Sequence, residues 1–143
     1  MQKINSLFLS VFSLIDLWLR PVAWLAVRIY IGWVFFSSGL LKLKDWDSTL
    51  QLFEYVYEFS QYELAAYMAV LGEIILPILL FLGLATRFGA AGLFVMTFVI
   101  EFFVFPGTND HYFWFCILGL LFVNGGGALS GDALYRKFMV KEA

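Results

Sequence analysis

Arg28 lies inside the apolar run PVAWLAVRIYIGWVFFSSGLL, and Glu73 lies equally deep inside a second such run. A charge at mid-bilayer costs roughly 2.5–3.5 kcal/mol on insertion scales, so two ions of opposite sign need a reason to be there. One reading is a salt bridge that fixes helix register. The other is a polar chamber for a small anion, a quinone head group or a proton path. In the second reading Arg28 and Glu73 are the candidate catalytic residues, with Arg28 binding negative charge and Glu73 exchanging protons. Lys42, Glu101 and His111 join them as candidate substrate-binding residues. Lys42 ends the first run, Glu101 falls late in the third, and Asp110 and His111 precede the fourth, giving a second polar layer. One histidine among scattered acids lacks the paired spacing of a metal site, and no metal is expected.

Helical spacing says how these groups are presented. Arg28, Gly32, Phe35, Gly39 and Lys42 fall on one stripe of a 3.6-residue helix. Its glycines allow a close helix neighbour, so the stripe is expected to face protein rather than lipid. Glu73, Pro77 and Leu80 share a face of the second run, and Pro77 removes the hydrogen bond to the Glu73 carbonyl, which predicts a kink there. The two spans run in opposite directions, and the depths of Arg28 and Glu73 predict direct contact.

The elements that position these residues follow from composition. Of 143 residues 62% are hydrophobic and 14% charged, against about 45–50% and 25% in soluble domains. The chain reads as one all-α membrane domain. Four stretches reach spanning length, about 21–42, 64–85, 88–105 and 113–130. They predict a four-helix transmembrane bundle over 21–137, followed by a tail at 138–143. Residues 1–20 carry apolar side chains at helical spacing without a cleavage site, and read as an interfacial amphipathic helix that ends where Pro21 starts the first span. A net charge of −2 with no basic stripe excludes nucleic acid as a partner. The single cysteine, Cys116, excludes an internal disulfide and reads as a small buried packing residue. The side holding both termini and the second connection has Lys3, Arg20, Arg87, Arg136, Lys137 and Lys141, against Lys42 and Lys44 opposite. This bias predicts cytoplasmic termini. The acidic, aromatic first loop with FEYVYEF then faces outward, as a lid or a partner-docking surface. Trp33, Trp46, Tyr112 and Trp114 read as interface-belt aromatics. In the glycine-rich segment 125–132, Ser130 or Asp132 caps a short terminal helix.

Taken in order, Arg28, Gly32, Gly39 and Lys42, then Glu73, Gly83 and the run Thr86-Arg87-Phe88-Gly89-Ala90-Ala91, resemble the DoxX family of small membrane proteins. Phe105-Pro106, His111 near Trp114, and Leu129-Ser130-x-Asp132 extend the resemblance over roughly 20–137. It implies a four-helix membrane bundle of the bacterial cytoplasmic membrane, with Arg28, Lys42, Glu73 and Arg87 as pattern positions. It further implies membrane redox systems, including a thiosulfate:quinone oxidoreductase subunit, so quinone is the cofactor expected and a protein partner supplies the redox centre. A thiol relay is unavailable to a chain with one cysteine, and His111 alone cannot supply bis-histidine haem ligation. Three functions follow as expectations. The first is a quinone-linked oxidoreductase component acting on an anionic or sulfur-containing substrate. The second is a non-catalytic anchor or maturation partner for another protein. The third is a small-molecule or ion transporter. Ala85, Gly89 and Gly92 offer a close-packing face, either for a homo-oligomer or within one chain.

Overall fold

The structure, a computed structural model, describes residues 12–58 and 60–140. The expectations for residues 1–11 and 141–143, including Lys3 and Lys141, fall outside the described residues. Helix α1 (Arg20–Lys44) continues without a break from helical residues 12–14 and a π turn, Ile15–Leu19. The boundary expected at Pro21 is therefore not an interruption of the helix. Proline lacks an N–H and its ring crowds the preceding turn; the wide turn just before it relieves both demands.

The chain leaves α1 at Asp45, whose carboxylate accepts from Ser48 N–H (3.2 Å) and Ser48 Oγ (2.8 Å) and so caps α2 (Trp46–Gln51). A π turn, Leu52–Val56, prolongs α2. Helix α3 (Tyr62–Leu82) runs through Pro77 and ends at Gly83, which has φ +65°. Leu84 N–H donates to Leu79 O (3.0 Å) there, the six-to-one closure that a left-handed glycine permits. Helix α4 (Thr86–Val99) passes into a third π turn, Ile100–Val104. Helix α5 (Asn109–Asn124) and the short α6 (Gly131–Met139) complete the described residues.

Helix α1 packs on α3, α3 on α4, α4 on α5, and α5 returns to touch α1. Ile31 and Phe35 of α1, Leu80 of α3, Ala90 and Leu93 of α4, and Ile117, Leu118 and Leu121 of α5 form the core where they meet. Among the described residues, three helical segments are long and apolar enough to cross a membrane: Phe12–Lys44, Tyr62–Leu82 and Thr86–Val104. Their outward faces expose Ile29, Trp33, Leu41, Leu71 and Phe88, a belt suited to acyl chains.

The helix found at the expected fourth span, 113–130, has different bounds. Helix α5 has 16 residues and starts earlier, and Gly125 with φ +74° stops it. At 1.5 Å per residue it is about 24 Å long. Gly89 and Gly92 face inward: a Cβ on either would meet Leu76 of α3, at 3.1 Å from its carbonyl oxygen and 2.6 Å from Cδ1. Here they serve contact within the chain. Cys116 is exposed on α5 rather than buried, because Ile117, Leu118 and Leu121 occupy the inward face.

Candidate functional site

The stripe Arg28, Gly32, Phe35, Gly39 and Lys42 does turn inward, with the first four buried and Lys42 half-buried. The carboxylate that meets it is not where spacing placed it. Arg28 does not pair with Glu73. Lys42 Nζ instead donates to both Glu73 oxygens, at 2.8 and 2.7 Å, and to Ser38 Oγ at 2.7 Å. Gly39 makes this approach possible, since a Cβ there would stand 3.0 Å from Glu73 Cβ. All three ammonium protons are thereby used. The Glu73 side chain is 4% exposed and that of Lys42 is 16%, so the pair is neutral overall and almost dry.

Above this pair lies a cavity of about 310 Å³, at the lower end of the range for small-molecule sites. Lys42 and Glu73 form its polar end. Ala65, Met68 and Ala69 of α3, and Val95, Met96 and Val99 of α4, supply apolar walls. Phe53 and Tyr57 of the first connection line it as well. The π turn at Leu52–Val56 sets them: Phe53 is 4% exposed, and the Tyr57 ring stands edge-on to Phe53 (4.9 Å) and Phe105 (5.6 Å). Burial, and then the negative charge of Glu73, push the Tyr57 phenol above its ordinary range, which keeps it protonated and able to donate. Sequence spacing missed Phe53 and Tyr57 as lining residues and Ser38 as a partner of Lys42. The FEYVYEF segment carried the signal, as an aromatic cluster just beyond a buried lysine.

Glu101 and His111 form a second cluster, as their shared level suggested. Glu101 Oε2 and His111 Nδ1 are 2.7 Å apart. The same carboxylate accepts from Gly107 N–H (2.7 Å) and Thr108 N–H (3.3 Å). Phe105 N–H reaches back to Ile100 O (2.7 Å), and this π turn aims Glu101 at the turn leading into α5. His111 packs on Trp114, which stacks edge-on with Phe35, so Trp114 belongs to the interior more than to an interface belt. This cluster does not include Lys42. Its geometry closes a turn. Among the described residues no three His, Cys, Asp or Glu side chains gather as metal ligands.

Arg28 belongs to a third cluster, at the opposite end. The guanidinium is 1% exposed and donates to Leu80 O (3.0 Å) and to Leu129 O. It joins α1, the end of α3 and the glycine-rich segment. Ser130 Oγ caps α6, accepting from Ala133 N–H (3.1 Å), and Asp132 reaches back to accept from Ala85 N–H (2.7 Å) and Thr86 N–H (2.9 Å). Asp132 therefore caps α4, with Ala85 held at φ +46°. Burial would raise the Asp132 carboxyl, but the Thr86 and Ala85 donors hold it below the usual carboxylate range. The sign follows: a depressed folded value makes the contribution complete above the unfolded value, near 3.9, and lost as pH falls through the folded one. We expect Asp132→Asn to cost about 1 kcal/mol at pH 7 and to flatten the acid limb of stability, measured by unfolding in detergent between pH 2 and 6. An unchanged acid limb counts against this cap.

Comparison with known proteins places these residues in context. The family model described as DoxX matches residues 23–106, which takes in Arg28, Lys42, Glu73 and Glu101. A protein of Haemophilus influenzae (strain ATCC 51907 / DSM 11121 / KW20 / Rd), named as an uncharacterized protein, is 27% identical over 128 residues, covering 81% of this chain and 85% of its own. No solved structure gives a significant match.

Proposed function

The chain belongs to the DoxX family, and from that premise we propose that it is a quinone-binding component of a membrane redox complex. In this reading α1, α3, α4 and α5 form a four-helix transmembrane bundle, with α5 short enough to leave its ends at the interfaces. The observation that carries it is the Lys42–Glu73 pair lining an otherwise apolar cavity between α3 and α4. A quinone head is flat, largely apolar and polar only at its carbonyl oxygens, and the donor set fits it. The Tyr57 phenol donates to a carbonyl oxygen, Lys42 holds the Glu73 carboxylate beside it, and the methionine and valine walls hold the ring. A quinone carries two electrons and takes up two protons on reduction, with electrons supplied by a partner protein. Glu73 is positioned to pass protons at its Oε atoms, and Lys42 balances its charge between transfers. Arg28 is reassigned from the catalytic pair to the joint at the other end. Glu101 and His111 are reassigned from substrate binding to a positioning role beside the Phe105 ring that packs on Tyr57.

On the positive-charge bias this reading puts both termini in the cytoplasm and the Lys42–Glu73 pair toward the outer face. The alternative, a non-catalytic anchor or maturation partner, draws on Tyr55 and Val56, which are 70% and 55% exposed on that face. Quinone titration of the purified chain in detergent, read by Tyr and Trp fluorescence quenching, tests the proposal. Saturable binding is expected, weakened at least about tenfold by Glu73→Gln, the loss of roughly one charged hydrogen bond. No saturable quinone binding, together with capture of a stoichiometric partner that survives Tyr57→Phe but not Tyr55→Ala, supports the anchor instead.

A further inference from the structure

We propose a second ligand site, for the phosphate of an anionic phospholipid, on the face that carries α6. Two adjoining cavities of about 450 and 430 Å³ share Asn124 and Arg136. The first adds Arg87 and Thr86 beside the glycines at 125 and 126, and the second adds Arg20 and Trp24. Three guanidinium groups thus line the two neighbouring hollows, with Arg136 common to both. Two carboxylates stand among them. Asp132 is committed to the N–H groups of Ala85 and Thr86. Asp16 lies 3.9 Å from Arg20, with both side chains exposed. Arg87 gives one Nη2 hydrogen bond to Val123 O (3.1 Å), and Arg136 gives Nε to Asp132 O (3.4 Å). Each guanidinium has five N–H donors in a fixed fork, the geometry that matches two phosphate oxygens at once.

Surrounding apolar surface identifies the phosphate as a lipid's rather than a free ion's. On α6, Leu134, Tyr135, Phe138 and Met139 fall on one side of the helix and are 57%, 62%, 63% and 52% exposed. Asp132 and Arg136, one turn apart, lie on the flank that lines the hollow. Below them Leu17 and Trp18 are exposed beside Asp16 and Arg20. An amphipathic helix with such a face lies at the acyl–headgroup boundary, which holds Arg136 and Arg87 at phosphate depth. Basic pockets between membrane helices at this depth take anionic headgroups. The shared Arg136 favours a headgroup with two phosphates, one toward Arg87 and one toward Arg20.

Native mass spectrometry of the full chain in mild detergent tests this, titrating diphosphatidylglycerol, phosphatidylcholine and inorganic phosphate separately. Diphosphatidylglycerol is expected to bind about tenfold or more tightly than phosphatidylcholine. The double variant Arg87→Gln/Arg136→Gln should lose that margin, given the contribution of each basic residue at a membrane surface. Both side chains are exposed, so the variant's melting temperature in lipid-free detergent should match the parent's and separate lost binding from lost fold. Equal affinity for the two lipids, or a margin that survives the double variant, overturns the site. Competition by inorganic phosphate at the lipid's own concentration overturns the lipid assignment.

Discussion

Lys42→Met is expected to lower stability by about 3–5 kcal/mol, the effect of leaving one buried ion without its mate. The Glu73 carboxylate is 4% exposed and receives two of its hydrogen bonds from that single ammonium. Once the ammonium is gone, Glu73 must either hold its charge in hydrocarbon or take up a proton. The double variant Lys42→Met/Glu73→Leu should recover most of the loss, because an apolar replacement of a whole buried pair is often neutral or stabilising. Unfolding in detergent of the parent, both single variants and the double variant closes the cycle. A cost under about 1 kcal/mol for Lys42→Met, or a double variant as weak as the summed singles, would show that the pair is not mutually compensating. Function separates here from fold. The double variant is expected to fold yet to lose quinone binding, since apolar side chains at both positions fill the cavity's polar end. A double variant that folds and still binds quinone with parental affinity removes the pair from the site.

Much of this arrangement is written locally in the chain. The length of the apolar runs marks α1, α3 and α4 within a few residues, and the spacing of Arg28, Gly32, Phe35, Gly39 and Lys42 marks the face that turns inward. Ser130 as the cap of α6, and Glu101 level with His111, follow from positions in sequence. What spacing does not specify is which rung of one helix meets which rung of another. Lys42 and Glu73 are partners because α1 and α3 slide to a register set by Gly39 against Glu73 and Gly32 against Phe81. A shift of about three turns, roughly 17 Å, would have matched Arg28 to Glu73 with the same stripes in contact. The glycine run that begins at Gly125 carries the stop of α5 in the sequence, and Gly125 adopts a positive φ there. Asp132 caps a helix more than forty residues upstream, a contact that only the folded chain creates. The cavity arises where Ala65 and Ala69 leave space, and space is the property hardest to read from residue types.

Arg28→Met should be comparably damaging, at about 3–5 kcal/mol, for a different reason. Its guanidinium donates to two carbonyls, Leu80 O and Leu129 O, and hydrogen bonds from a charged donor contribute about 1.5–3 kcal/mol each. Both carbonyls lie on the α6 side of the bundle, at the end of α3 and in the glycine-rich segment, rather than at α3's midpoint. Leu80 lies seven residues beyond Glu73 on α3, about 10 Å along the axis. The two sites share no partner, and the losses from Arg28→Met and Glu73→Gln are expected to add to within about 0.5 kcal/mol. A direct Arg28–Glu73 bridge predicts the opposite, a double variant much less damaged than the sum. The two variants should also differ in place. Arg28→Met releases Leu129 and with it Ser130 and Asp132, so hydrogen exchange should rise across 125–132 and at the start of α4, whose Ala85 and Thr86 N–H groups depend on Asp132. Glu73→Gln should leave that exchange unchanged and loosen the connection carrying Phe53 and Tyr57. Exchange that rises in the same segments for both variants would mean that the two buried ions act through one joint, and the separation of site from latch would fail.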